Sequence, residues 1–284
     1  MSKTLGLEPL KKFLRYTLYT GFVQNKKRPG SGLIIAHPER AKSTESLKFE
    51  GLGIIYMTDL THYGLMEELQ SLTEEQRKAL HHLVIPDLEK LRSRGRSVRE
   101  ELMASFRELT EEGLGKIHTG KINVNFNPPV IMGVIACTTP EDIGDRRSVL
   151  RNVTFLSRFI PFSYDYSDQQ KIDILNFVER EDELTEEKDQ ISGKVRRVEL
   201  PESLAHELTN YAVFLARRIQ NFSHVPKSER GNEVLFGVRA KENLMTLLKS
   251  IALYNGNRTV TREDFRELMH LYKYMNFNFR QIDW

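Results

Sequence analysis

The chain has 284 residues, 39% hydrophobic and 29% charged, with a formal net charge of +3 and one cysteine. That size allows one large domain or two ordinary ones, and the composition fits a packed core under a well-solvated surface. No stretch reaches the about 18 consecutive apolar residues of a membrane helix, a lone cysteine cannot make an internal disulfide, and so mild a charge does not by itself argue for nucleic acid.

Residues 7–22 place Leu7, Leu10, Phe13, Leu14 and Leu18 at helical spacing. The opening MSKTLGLEPLKKF has no apolar run or cleavage site of a secretory signal, so a reducing, cytoplasmic setting is expected. QNKKRPGSG is a breaker-rich loop. GLIIA (32–36) is wholly apolar, as a strand buried on both faces should be, and AHPERAKST leads from it into a helix expected from about Ser43 to Phe49. GLGIIYMTD (51–59) and HLVIPD (82–87) are further strand candidates, separated by a loop and helix over THYGLMEELQSLTEEQRKAL. A periodic helix over 97–113 ends at Gly113, and KIHTGKINVNFNPP reads as a hairpin turning near Thr119-Gly120. VIMGVIACTT (130–139) is a fourth buried run, RSVLRNVTFLSRF a helical segment, and IPFSYDYS a fifth strand. Beyond about residue 167 the pattern is nearly all helical, with Thr261 and Asp264 spaced as a capping box. Strands alternating with helices imply a parallel sheet covered on both faces, followed by a helical block.

Parallel sheets bind ligands at the carboxyl ends of their strands. Three segments fall there: residues 36–44, Asp87 after LVIP, and Thr138-Thr139 after VIMGVIAC. Residues 36–44 nearly match the phosphate-loop pattern G-x-x-x-x-G-K-[ST]. Lys42 and Ser43 stand in place, followed by Thr44, but both glycines are alanines, Ala36 and Ala41. In such a loop the lysine neutralises β/γ-phosphate charge, the hydroxyl ligates Mg²⁺, and a strand-end aspartate holds the same ion.

In this order the motifs resemble those of an AAA+ ATPase over about residues 8–275, closest to MoxR-like and replicative-helicase-like members. The resemblance implies a five-stranded parallel P-loop core at 1–166 and an all-helical lid at 167–284. It implies ATP held by Ala36, His37, Pro38, Glu39, Arg40, Ala41, Lys42, Ser43 and Thr44, with Mg²⁺ on Ser43 and Asp87. A polar sensor would be Thr138 or Thr139. An arginine acting on the neighbouring subunit's nucleotide fits Arg158 best, with Arg146, Arg147 and Arg151 as competitors, and the lid sensor would be Arg239. The implied activity is that of an ATP-hydrolysing motor or switch, assembled as a ring such as a hexamer or as a helical array. Its implied substrate is a polymer, with DNA placed ahead of polypeptide.

Two departures qualify that resemblance. Alanine disfavours positive φ, so Ala41 is expected at ordinary helical angles and Ala36 in a β-like conformation. The family's water-polarising glutamate follows the magnesium aspartate directly, but here the order is Asp87-Leu88-Glu89. Glu89 and Asp59 remain as candidates for that role. A different class therefore stays open: a catalytically weak scaffold that assembles with nucleotide and recruits protein partners. Tyr63 in THYG is either a polymer-gripping pore residue or an ordinary loop tyrosine. Lys116, His118 and Lys121 either touch DNA phosphates or lie on a solvated hairpin. His81 and His82, as neighbours in a strand, are expected on opposite faces and not as a metal pair. Cys137 is expected to be buried and structural. Tyr272, Tyr274, Phe277, Phe279 and Trp284 are expected in the core or at a subunit contact ahead of base stacking.

Overall fold

A computed structural model describes residues 6–91, 93–118, 123–145, 148–178, 188–223 and 235–282. In chain order the strands are β1 (Gly32–Ile35), β2 (Phe49–Glu50), β3 (Ile54–Tyr56), β4 (His82–Ile85), β5 (Leu114–His118), β6 (Asn123–Val130), β7 (Gly133–Thr138), β8 (Ile160–Asp165), β9 (Asp189–Gln190) and β10 (Arg280–Gln281). The α-helices are α1 (Glu8–Tyr19), α2 (Lys42–Leu47), α3 (His62–Ser71), α4 (Glu74–Ala79), α5 (Arg96–Leu109), α6 (Pro140–Gly144), α7 (Val153–Leu156), α8 (Asp168–Val178), α9 (Glu202–Phe222), α10 (Val238–Tyr254) and α11 (Arg262–Tyr272).

The apolar runs that lack alternation form the centre of one parallel sheet, ordered β10-β8-β1-β7-β4-β3. β1 lies between β7 and β8, with Gly32 opposite Ile135 and Ile160. β4 lies between β7 and β3. Every residue of β1, β4 and β7 is buried, so helices must cover both faces. On one face α1 lays Phe13 on Phe162 of β8, with ring centroids 4.7 Å apart, and Phe162 in turn meets Tyr274 at 5.2 Å. α10 packs along α1, and the Ser250 hydroxyl donates to the Tyr16 carbonyl at 2.8 Å. One continuous apolar cluster thus runs from Leu7 through the sheet to Ile282.

Several expectations need correction. The sheet has a sixth strand, β10, which pairs Arg280 with Tyr164 and Gln281 with Asp165. It is held further by the Ile282 N–H to the Asp165 carbonyl at 2.9 Å and by the Gln170 side chain to the Ile282 carbonyl at 2.7 Å. The block after residue 167 is not helical throughout: β9 pairs with β2, Arg196 bridges to Val23, and Glu199 bridges to Thr259. Phe49 leaves α2 to enter β2, burying its ring. α3 starts directly after Thr61, whose hydroxyl caps the Gly64 N–H at 3.0 Å, so Tyr63 lies in a first helical turn and not in a loop. RSVLRNVTFLSRF breaks into a 3-10 turn at Val149–Arg151 and the short α7. β5 and β6 form the antiparallel hairpin, while Thr119, Gly120, Lys121, Arg146, Arg147 and Trp284 lie outside the described residues. Among the described residues no helix is long and apolar enough to cross a membrane.

Candidate functional site

The loop after β1 departs from the sheet one residue late. Ala36 is fully buried and its N–H still donates to the Thr138 carbonyl at 3.3 Å, so it needs no positive φ. Glu39 and Ala41 do take the left-handed region, at φ 62° and 57°. Ordinary helical angles at Ala41 are therefore overturned. A left-handed alanine is disfavoured by about 1–2 kcal/mol, and the surrounding contacts must hold it there. The Arg40 guanidinium pairs with Asp165 at 2.7 Å, and the Tyr164 hydroxyl donates to the Arg40 carbonyl. Burial raises the Asp165 carboxyl, but Arg40 and the Tyr166 N–H outweigh it and hold that group below its ordinary range. On the other side His37 meets Glu141 of α6 at 3.0 Å, with the Phe279 ring 5.8 Å away. Pro38, Glu39 and Thr44 are exposed.

Beneath this loop the segments that follow β1 and β4 meet across the end of β7. The Ser43 hydroxyl donates to the Pro86 carbonyl at 2.6 Å. Lys42 is only 9% exposed, and among the described residues its ion pair is with Glu89 at a long 3.9 Å. Asp87 is half-buried, and its carboxylate accepts the Glu89 N–H at 2.9 Å. Burial raises the Glu89 carboxyl above its ordinary range, Asp142 and Asp87 add to that, and Lys42 opposes it. Lys42, Ser43, Asp87 and Glu89 are thus brought together at the carboxyl edge of the sheet. Thr138 ends β7 there, fully buried, and its hydroxyl has no partner among the described residues. Thr139 instead caps α6: its hydroxyl accepts the Asp142 N–H at 3.3 Å and donates to the Asp142 carboxylate at 3.0 Å. Leu88 is core, 2% exposed, and its N–H donates to the Cys137 carbonyl. Asp59 is engaged by Arg94 at 2.6 and 2.7 Å. Cys137 is buried behind Lys42, and burial pushes its thiol up to about 12, so it offers no nucleophile.

Arg158 and Arg239 are not part of this group. Arg158 precedes β8 and so lies at the opposite, amino edge of the sheet. Its side chain is 8% exposed and meets Glu111 at 2.5 Å, while Arg239 takes the other oxygen of Glu111 at 2.6 Å. Arg28 reaches Glu111 at 3.9 Å and shares Glu242 with Lys27, each at 2.8 Å. Burial works to raise the Glu111 carboxyl, but the two arginines hold it below its ordinary range. Burial lowers the Arg158 guanidinium, and its Nε has no partner among the described residues. Arg151 is engaged elsewhere, donating to the Phe222 and Gly144 carbonyls. Glu111 has no signal in the sequence: it is one of two adjacent glutamates after a helix, and only the fold brings two arginines to it.

The histidine pair also differs from expectation. His81 precedes β4 and is not yet in the pleat; its N–H and that of His82 both donate to the Gly53 carbonyl, at 2.8 and 3.0 Å. Alternation therefore fails here, and the two Nδ1 atoms lie 2.7 Å apart. Among the described residues no three His, Cys, Asp or Glu side chains group as a metal site. Compared with known proteins, the chain matches no protein-family model, and no curated protein matches it.

Proposed function

We propose that the chain is an ATP-binding protein of the AAA+ type that works as an oligomer. The observation that carries this is Lys42: a side chain only 11% exposed, with its carboxylate partner no nearer than 3.9 Å, next in the chain to Ser43, at the same sheet edge as Asp87 and as Thr138, whose hydroxyl is unpaired among the described residues. A buried cation is stable only when an anion meets it closely, and a phosphate at this place would do so. The strand order β8-β1-β7-β4-β3, with the loop after β1 and the aspartate after β4, supports the same reading.

The residues fit a magnesium-bound triphosphate. Ser43 donates one proton to Pro86 but keeps its lone pairs, and Asp87 retains acceptor capacity beyond the Glu89 N–H. Such a group would supply a transferable γ-phosphoryl. Lys42 would neutralise charge, Thr138 would orient, and Glu89, with its raised proton affinity, would take a proton from water. Arg158, on the far edge, would serve a neighbouring copy once released from Glu111, which makes activity depend on assembly, while Arg239, held by the same Glu111, would act as a lid sensor only after a rearrangement that frees it. The hairpin pairs Lys116 with Asn125 and His118 with Asn123, and all four are exposed, as a polar ribbon against DNA would require.

A second reading is a weakly catalytic scaffold that uses nucleotide to assemble and recruit partners. It is favoured by buried Leu88 where a glutamate would polarise water, and by Arg158 held on its own subunit's Glu111. ATP binding and turnover with and without single-stranded DNA, measured alongside the oligomeric state and a Lys42→Ala variant, separate the two. Turnover that rises on assembly and vanishes in K42A supports the motor. Assembly without turnover leaves the scaffold, and unchanged ATP binding by K42A refutes both.

A further inference from the structure

At the amino edge of the sheet, away from the loop at residues 36–44, lies an open cleft of about 780 Å³. That volume is in the range of small-molecule sites. Lys26, Lys27, Arg28 and Lys78 border it, and among the described residues no aspartate or glutamate does. Lys27 and Arg28 keep a glutamate partner outside the cleft, Glu242, at 2.8 Å each, and Lys78 pairs with Glu74 at 2.5 Å. Lys26 differs: its half-buried ammonium donates to the carbonyls of Gly21 at 2.9 Å and Val23 at 2.8 Å. Those acceptors are neutral, so its charge is not balanced by them, and one N–H remains. Burial alone pushes Lys26 below its ordinary range.

His81 supplies the complementary group. His82 Nε2 faces the Gly30 carbonyl at 3.0 Å and must carry a proton there. His82 Nδ1 is then bare and accepts from His81 Nδ1 at 2.7 Å. His81 Nε2 is therefore a bare acceptor, set against Gly53, and both residues line the cleft. Burial pushes His81 down to about 4, so it stays neutral near pH 7. Two glycines seat its ring: a Cβ at Gly21 would come within 2.4 Å of it, and one at Gly53 within 2.2 Å.

We propose that this cleft binds a small phosphate-bearing molecule that also carries hydroxyl groups, with the phosphate on Lys26 and a hydroxyl donating to His81 Nε2. Leu52, 96% exposed at the rim, covers the apolar side of such a ligand. Arg28 also borders a second cavity, of about 370 Å³, with Glu111 and Arg239, so the ligand lies one side chain from the arginine cluster. The inference is independent of the nucleotide proposal.

The test is titration calorimetry with ribose 5-phosphate on the 284-residue chain carrying Lys42→Ala, where the loop at 36–44 cannot be responsible. Saturable binding that weakens with salt is expected, falling at least tenfold in K42A/K26M. Leu52→Glu places a carboxylate in the cleft from an exposed position and so leaves the fold intact; K42A/L52E should lose at least tenfold as well. If K26M fails to fold, L52E decides alone. Absence of binding by K42A, or L52E binding as tightly as its parent, overturns the proposal.

Discussion

Replacing Glu111 by glutamine tests the arginine cluster most directly. Arg158 is 8% exposed, and its guanidinium is neutralised by Glu111 at 2.5 Å. Removing one partner of a buried pair leaves an uncompensated charge, at about 3–5 kcal/mol. Glu111 retains 19% exposure and glutamine still accepts a hydrogen bond, so the lower end applies, about 3 kcal/mol. Arg239, 38% exposed, recovers water and adds less than about 1 kcal/mol. Arg158→Met removes the buried charge itself and leaves Glu111 with Arg239, so it should cost about 1 kcal/mol. The double variant should then be more stable than the sum of the singles by about 2 kcal/mol, since the two side chains touch. Urea unfolding at pH 7 measures all four proteins. Because Glu111 is held below the ordinary carboxylate range, its contribution is complete at neutral pH and disappears as the pH falls through that depressed value. The gap between wild type and E111Q should therefore close in acid. If E111Q is no more destabilising than R158M, or if the gap persists in acid, the reasoning fails.

Ala41→Gly relieves a left-handed alanine, a gain of about 1–2 kcal/mol, against about 0.5–1 kcal/mol of extra chain entropy. The net of about 0–1.5 kcal/mol should appear in calorimetry as a Tm rise of up to about 3 °C, and a fall would contradict the strain. His81 and His82 are buried neutral, with burial lowering both, His81 to about 4. The unfolded chain takes up their protons below about pH 6.5, so stability is full above that value and falls below it, by about 1.4 kcal/mol per pH unit for each histidine. Urea midpoints that stay flat from pH 6.5 to 5 would refute their burial as neutral rings.

The central strands were legible because a strand buried on both faces is a near-continuous apolar run, as GLII, LVI within HLVI and GVIAC within GVIACT are. Convergence of Lys42, Ser43 and Asp87 followed from the order of strand ends, given a parallel sheet. β2, β9 and β10 were not legible, since two residues carry no period and their pairing depends on partners far along the chain. Nor was the left-handed turn at Ala41, because composition there argues against it, and the contacts that flank it, Arg40–Asp165 and Tyr164 among them, come from distant parts of the chain. Arg158 and Arg239 stood out as candidates, but their shared partner Glu111 was invisible, because an ion pair across the fold leaves no spacing to detect.

Asp165 has a consequence for movement. Its carboxylate grips Arg40 in the loop, its carbonyl receives the Ile282 N–H, and three residues later α8 begins. A pull on β10 would reach the loop at residues 36–44 through Asp165 on Arg40 and through the Phe279 ring against His37, and a shift of that loop would be felt at β10 by the same two routes.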